Sequence, residues 1–186
     1  MELTEARLIY VFSWIAVRAD AAAVASTLGV QSPSACSIRD GLERTAADNR
    51  LVFVSPSIDG FVLAVARGLG RDEMQLASVS TAFGEAQAFY CDGKRESYGW
   101  GRSVAGKVVR AVGWNQGEIA TDGEATAGEP TDLTDLAEMD VATVAANWSV
   151  APGALLALPD DRTGLIGARA GTTAGRSVFG FRRRKS

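Results

Sequence analysis

The 186-residue chain predicts an α+β fold: an antiparallel sheet with ferredoxin-like βαββαβ element order, extended by a β-meander and followed by a C-terminal helix. Three observations predict it. Segments rich in β-branched and aromatic residues alternate with stretches whose apolar residues recur at helical spacing. Over residues 8–91 the order reads strand, helix, strand, strand, helix, strand, the split-βαβ arrangement in which two helices cover one face of a sheet. Short Gly-bearing turns then divide residues 97–121 into further strands, as a meander requires.

Residues 8–17 (LIYVFSWIAV) form the first predicted strand. Alternation sends Leu8, Tyr10, Phe12, Trp14 and Ala16 to one face and Ile9, Val11, Ser13, Ile15 and Val17 to the other. Both faces are largely apolar, so this strand should be central and covered twice, by a later segment or by another subunit. Asp20 is the expected N-cap of a helix with Ala21, Val24, Ala25 and Leu28 on its buried side and Gly29 as its stop. Residues 31–50 are ambiguous: Gln-Ser-Pro-Ser reads as loop, and 36–44 as a short strand or an irregular connection.

Residues 51–55 and 61–66 are strands joined by Ser-Pro-Ser-Ile-Asp-Gly. Residues 71–83 are helical, with Leu76, Val79 and Phe83 as the buried stripe and Gly84 at the end. A strand follows over 86–91. In the meander, an Ala105-Gly106 turn joining 97–104 to 107–114 sets Val104 against Lys107, Arg102 against Val109 and Trp100 against Ala111. A further short strand is expected over 117–121. Residues 125–131 (ATAGEPT) read as a linker. Val141, Val144, Ala145 and Trp148 mark the C-terminal helix, with Asp140 as its expected cap and a docking site on the main domain. Residues 155–158 and 164–168 are expected to add a closing strand. The domain is expected to span 1–169, with 170–186 a basic, poorly ordered tail.

Composition excludes several functions. There is no histidine, which removes Ser-His-Asp and Cys-His catalysis, most zinc sites and ordinary haem ligation. No run approaches the roughly 18 apolar residues of a membrane span, and the start lacks the positive flank of a signal peptide, so a cytoplasmic protein is expected. Cys36 and Cys91 lack metal-site spacing and read as small buried hydrophobes; a reactive Cys91 would have only Lys94 and Arg95 nearby to lower its pKa. The Gly-x-Gly pieces at Gly68, Gly70, Gly99 and Gly101 do not open a helix after a strand, so no nucleotide site is predicted. No cofactor and no metal is expected.

Charge is distributed unevenly. Between residues 115 and 150 the chain carries Glu118, Asp122, Glu124, Glu129, Asp132, Asp135, Glu138 and Asp140 with no Lys or Arg. After Asp161 every charged residue is basic: Arg162, Arg169, Arg176, Arg182, Arg183, Arg184 and Lys185. The simplest expectation is that the two segments pair with each other. The net charge of -3 does not argue for nucleic acid. A second acidic group, Glu85, Asp92 and Glu96 with Asp59, is expected near one end of the sheet, where paired carboxylates could run acid–base chemistry or hold a divalent cation, ordinary solvated turn residues being the simpler reading. Trp14, Trp100, Trp114 and Trp148 each fall inside a predicted element and read as core; Trp114, at a strand end beside a turn, would anchor an interface if exposed.

Phe83-Gly84-Glu85-Ala86-Gln87-Ala88-Phe89, then Trp100, then Gly106-Lys107-Val108-Val109-Arg110, resembles a pattern shared by a diffuse group of uncharacterised bacterial proteins. Phe53-Val54-Ser55-Pro56 with Asp59-Gly60-Phe61 also resembles the group, with Phe61 where Trp is usual, as does Asn147-Trp148-Ser149 followed by Pro152. The resemblance spans roughly residues 50–155 and carries over no catalytic residue. By analogy of size and charge alone, such proteins are similar to immunity proteins of bacterial toxin systems.

Two functions follow as expectations. The first is a non-enzymatic binding protein, of the kind that neutralises a basic toxin domain, with Glu118, Asp122, Glu124, Trp114, Glu85 and Asp92 as partner contacts and homodimerisation as a further association. The second is a small enzyme or ligand-binding domain using Glu85, Asp92 and Tyr90 or Tyr98, which requires those groups to converge in a pocket.

Overall fold

A computed structural model describes residues 13–159 and 161–170. Nine strands form one antiparallel sheet: β1 (Ser13–Val17), β2 (Val30–Ser37), β3 (Leu51–Val54), β4 (Val62–Ala66), β5 (Glu85–Asp92), β6 (Ser97–Val104), β7 (Lys107–Asn115), β8 (Glu118–Asp122) and β9 (Thr163–Arg169). Their spatial order is β2-β9-β3-β4-β1-β5-β6-β7-β8. Among the described residues four α-helices accompany them: α1 (Ala21–Thr27), α2 (Ile38–Ala47), α3 (Glu73–Phe83) and α4 (Glu138–Trp148), with a 3-10 turn at Pro152–Ala157. None of the described helices is long and apolar enough to cross a membrane.

β1 is central, as its composition predicts. It pairs with β4 on one side and β5 on the other, and all five of its residues are buried. Its first half as predicted, residues 8–12, lies outside the described residues, as does the expected tail beyond Ala170. Ile15 and Val17 join Val54, Val62, Ala64 and Tyr90 beneath α1 and α3. Trp14 and Ala16 join Phe53, Leu63, Val65, Phe89 and Trp100 beneath α2, α4 and the 3-10 turn. The second face is therefore closed by the same chain, with no need of another subunit.

Caps set the helix starts. The Asp20 carboxylate accepts the Ala22 and Ala23 N–H groups at 2.9 and 3.2 Å, and Asp72 accepts that of Met74 at 2.8 Å. Asp140 is not the cap of α4, as its spacing suggested. It stands inside the first turn and reaches back to accept the Ala137 N–H at 2.8 Å, satisfying a donor the helix itself cannot.

Three expectations are corrected here. First, β2 and α2 intervene between α1 and β3, so the order is βαβαββαβ where six elements were expected. β2 (VQSPSACS) has the composition of a loop because it is an edge strand, where the missing N–H of Pro33 costs nothing and a bulge separates Gln31 from Ser34. α2 starts where the Ser37 hydroxyl accepts the Asp40 N–H and buries Ile38, Leu42 and Thr45; Gly41 in its middle disguised it. Second, β6 and β7 pair Arg102 with Arg110 and Trp100 with Val112. Val109 is an extra residue in β7, left unpaired and 46% exposed, and this bulge turns Arg110, Val112 and Trp114 onto the Trp100 face. Third, residues 155–158 belong largely to the 3-10 turn, begun by Pro152 at its start. The strand expected over 164–168 is present as β9, which threads between β2 and β3.

Gly41 is required by packing. A methyl group there would fall on the ring of Phe53, a fully buried side chain. Alanine favours a helix interior by about 1 kcal/mol over glycine, but overpacking a core costs about 1–3 kcal/mol. Gly41→Ala is thus expected to lower the urea midpoint of unfolding, and a raised midpoint would show that Phe53 yields freely.

Candidate interaction surface

The acidic surface is built on the β7–β8 hairpin. Gln116 and Gly117 form its two-residue turn with φ of 51° and 85°, the left-handed pair of a type I′ connection. Among the described residues β8 pairs with β7 alone, from Asn115↔Glu118 to Ala111↔Asp122, so its other side is the edge of the described sheet. Glu118, Asp122 and Glu124 are exposed there, and Ile119 is 41% exposed.

Beyond β8 the chain turns at Gly123, whose φ is 75° and where a side chain would collide with the Val109 carbonyl, and crosses back over the sheet. A buried ion pair fastens this crossing. The Arg110 Nη2 and Nε donate to Glu129 at 2.6, 2.9 and 3.1 Å, while its Nη1 donates to the carbonyls of Asp122 and Gly123 at 3.3 and 2.8 Å. The Thr126 N–H and hydroxyl complete the Glu129 shell, both at 2.9 Å. The two side chains are 5% and 2% exposed. Burial pushes the Glu129 carboxyl up, but the donors from Arg110 and Thr126 outweigh it and hold the group below the ordinary glutamate value.

The acidic run thus divides. Glu129 is consumed by Arg110, Asp132 accepts the Thr134 N–H and hydroxyl, and Asp140 serves α4. No ion pair among the described residues involves Glu118, Asp122 or Glu124; Asp122 only accepts the neighbouring Gly123 N–H. Of the basic residues expected to neutralise them, the two that are described stand elsewhere. Arg169 belongs to β9 and the Arg162 guanidinium donates to the Ser57 carbonyl. β9 lies seven strand positions from β8, roughly 34 Å at the usual interstrand spacing. The other basic residues of that segment lie outside the described residues.

The remaining predicted contacts are dispersed. Trp114 is not exposed: it is 8% accessible and stacks on Tyr98 with ring centroids 5.5 Å apart. Glu85 and Asp92 do not share an end of the sheet. They are the first and last residues of β5, about 23 Å apart along an extended strand. Glu85 accepts two bonds from Arg102 at 2.9 and 3.0 Å and one from Gln87 at 2.8 Å. Burial raises the Glu85 carboxyl, but those bonds and the charges of Arg102 and Arg18 bring it below its usual value. Asp92 pairs with exposed Arg95 at 3.5 Å. Tyr90 is buried with its hydroxyl on Ser97. A groove of about 250 Å³ opens between the start of α2 and the 3-10 turn, but its walls are Ser37, Ile38, Arg39 and leucines, with no carboxylate. Among the described residues, no three acidic or cysteine side chains are grouped to hold a metal ion.

Cys91 is buried, and desolvation followed by the nearby Glu138 charge pushes its thiol well above the usual range, the opposite of activation. Comparison with protein-family models, curated proteins and solved structures returned no match.

Arg110 and Glu129 are the residues that sequence reasoning missed. The signal was present: an arginine between Val109 and Ala111 in an apolar strand demands a buried counter-charge.

Glu129→Leu, which strands Arg110, is expected to reduce the unfolding free energy by about 3–5 kcal/mol, while the double replacement with Arg110→Met recovers most of the loss. Because the folded-state pKa of Glu129 is lowered, its stabilisation is complete above the unfolded value near about 4.3 and is lost as pH falls through the folded one. The double variant should therefore show a shallower acid limb in pH-dependent urea titrations. Native thiol titration is expected to modify Cys36, which is half-buried, well before Cys91; equal rates would place Cys91 at the surface.

Proposed function

We propose that this chain is a non-enzymatic binding protein that receives a basic protein partner on the outer edge formed by Glu118, Asp122 and Glu124. The observation carrying this reading is that three exposed carboxylates, in no ion pair among the described residues, lie on and just beyond β8, which among those residues pairs with β7 on one side only. Unpaired charge of one sign adds little to stability and steers encounter with a surface of opposite sign. By the analogy of size and charge, a toxin domain with a basic surface is the first partner to test. Glu85 stands at the opposite end of β5 from Asp92 and Tyr90, and the buried Tyr90 hydroxyl is bonded to Ser97, which argues against the alternative of a carboxylate enzyme. We read the scaffold as a ferredoxin-like unit, β1-α1-β3-β4-α3-β5, into which β2 and α2 are inserted; the adjacency of β3, β4, β1 and β5 and the shared face of α1 and α3 support that reading.

The test is association kinetics with a basic partner captured from the native host. Neutralising the three residues (Glu118→Gln, Asp122→Asn, Glu124→Gln) is expected to slow association about tenfold at low salt and flatten its salt dependence, with dissociation changing less. Unchanged kinetics would remove the edge from the interface.

A further inference from the structure

The two edges of the sheet are finished differently, and the difference points to a mode of binding. An edge strand presents a row of unpaired N–H and C=O groups that will accept another strand unless something prevents it. At the β2 edge Pro33 lacks an N–H, the ladder shifts between Gln31 and Ser34, and Ser32 sits at φ 46°. That backbone is irregular and cannot extend the sheet. The β8 edge has none of these devices: its five residues pair with β7 without a bulge and contain no proline.

The turn tells which backbone groups of β8 are free. In a two-residue hairpin the residues flanking the turn exchange hydrogen bonds, and such pairs then alternate with non-bonded ones. Asn115↔Glu118, Gly113↔Ala120 and Ala111↔Asp122 are the bonded pairs of this register. The N–H and C=O groups of Ile119 and Thr121 therefore point outward. Glu118, Ala120 and Asp122 share the opposite face of the strand from Ile119 and Thr121, and would form the close, non-bonded pairs with any strand added at this edge.

A second copy of the chain does not fit. Full antiparallel overlap of β8 with its own copy pairs Ile119 with Thr121 and sets Glu118 directly across from Asp122, twice by symmetry. Like charges directly opposite destabilise a strand pair. A foreign strand with Lys or Arg at positions i and i+4 and a small residue between them meets the same two carboxylates favourably, and the small residue matches the Ala120–Gly113–Gly99 row.

We infer that β8 is a β-augmentation edge, which captures an extended protein segment carrying basic residues four apart by antiparallel pairing to Ile119 and Thr121. This rests on the reading of the acidic edge as a partner surface and adds to it the backbone ladder and the spacing of the partner's charges.

The probe is the capped peptide Thr-Lys-Val-Ala-Val-Lys-Thr at millimolar concentration and low salt, beside the same peptide N-methylated at both valines. Binding to the full chain is followed by amide NMR and hydrogen exchange. The unmodified peptide is expected to slow exchange at Ile119 and Thr121 at least tenfold, with little change at Ala120, which is already bonded to β7. The N-methylated peptide, with the same charges, is expected to bind at least tenfold more weakly. Thr121→Pro removes one outward N–H that β7 does not use and should weaken the unmodified peptide similarly while leaving the thermal midpoint within a few degrees. Equal binding of both peptides, lost on Glu118→Gln/Asp122→Asn, would overturn strand pairing while leaving the acidic surface standing. Failure of both peptides would overturn this inference, whereas the kinetic test with the native partner judges the acidic surface separately. Protection of Ile119 and Thr121 in the peptide-free chain would show the edge already occupied, by a second copy if the chain sediments as a dimer and by its own sequence if it does not, and either result overturns the inference.

Discussion

A strand that is apolar on both faces must be covered on both, and β1 imposes that condition on the whole molecule. Its two neighbours, β4 and β5, inherit it, so the middle of the sheet is a double core. α1 and α3 cover one face as parts of connections between strands of that middle region. The other face carries the larger side chains, Trp14, Phe89 and Trp100 among them, and its cover comes from farther away. α2 belongs to the excursion that builds the β2 edge, and α4 follows β8 at the opposite edge.

The chain therefore has to return from the rim to the middle, and Arg110–Glu129 holds that return in place. A buried charge pair is seldom a net gain over well-packed apolar side chains. Its use here is positional: the guanidinium also grips the carbonyls of Asp122 and Gly123, so one side chain joins the end of β8 to the start of the crossing. α4 can then lay Trp148 against Phe89, with ring centroids 6.1 Å apart, and bring the Trp148 carbonyl to Gln87.

The same geometry sorts the acidic residues by role. Glu129 and Asp132 on the crossing are spent on the fold, while Glu118 and Asp122 on β8 and Glu124 just beyond it are left facing solvent. On β5 the separation has the opposite consequence for chemistry: Glu85 and Asp92 are held by different arginines at different ends of one strand, so no paired carboxylate forms.

Local chemistry alone determined much of this protein. The apolar alternation of 13–17, the Asp20 cap, the Gly84 stop and the Ala105-Gly106 turn depend only on neighbours in the chain, and each was legible. Other features required partners distant in sequence. β2 reads as a loop because an edge strand need satisfy only one neighbour, and that neighbour, β9, lies more than 120 residues on. The Val109 bulge flips the far half of β7 and is not encoded in the turn that precedes it. Among the acids, composition revealed a run of one sign, but not which members would be neutralised. That was decided when folding brought Arg110 to Glu129 and left Glu118, Asp122 and Glu124 outside every ion pair of the described residues, because pairing of charges is set by distance in space and the sequence records only distance along the chain.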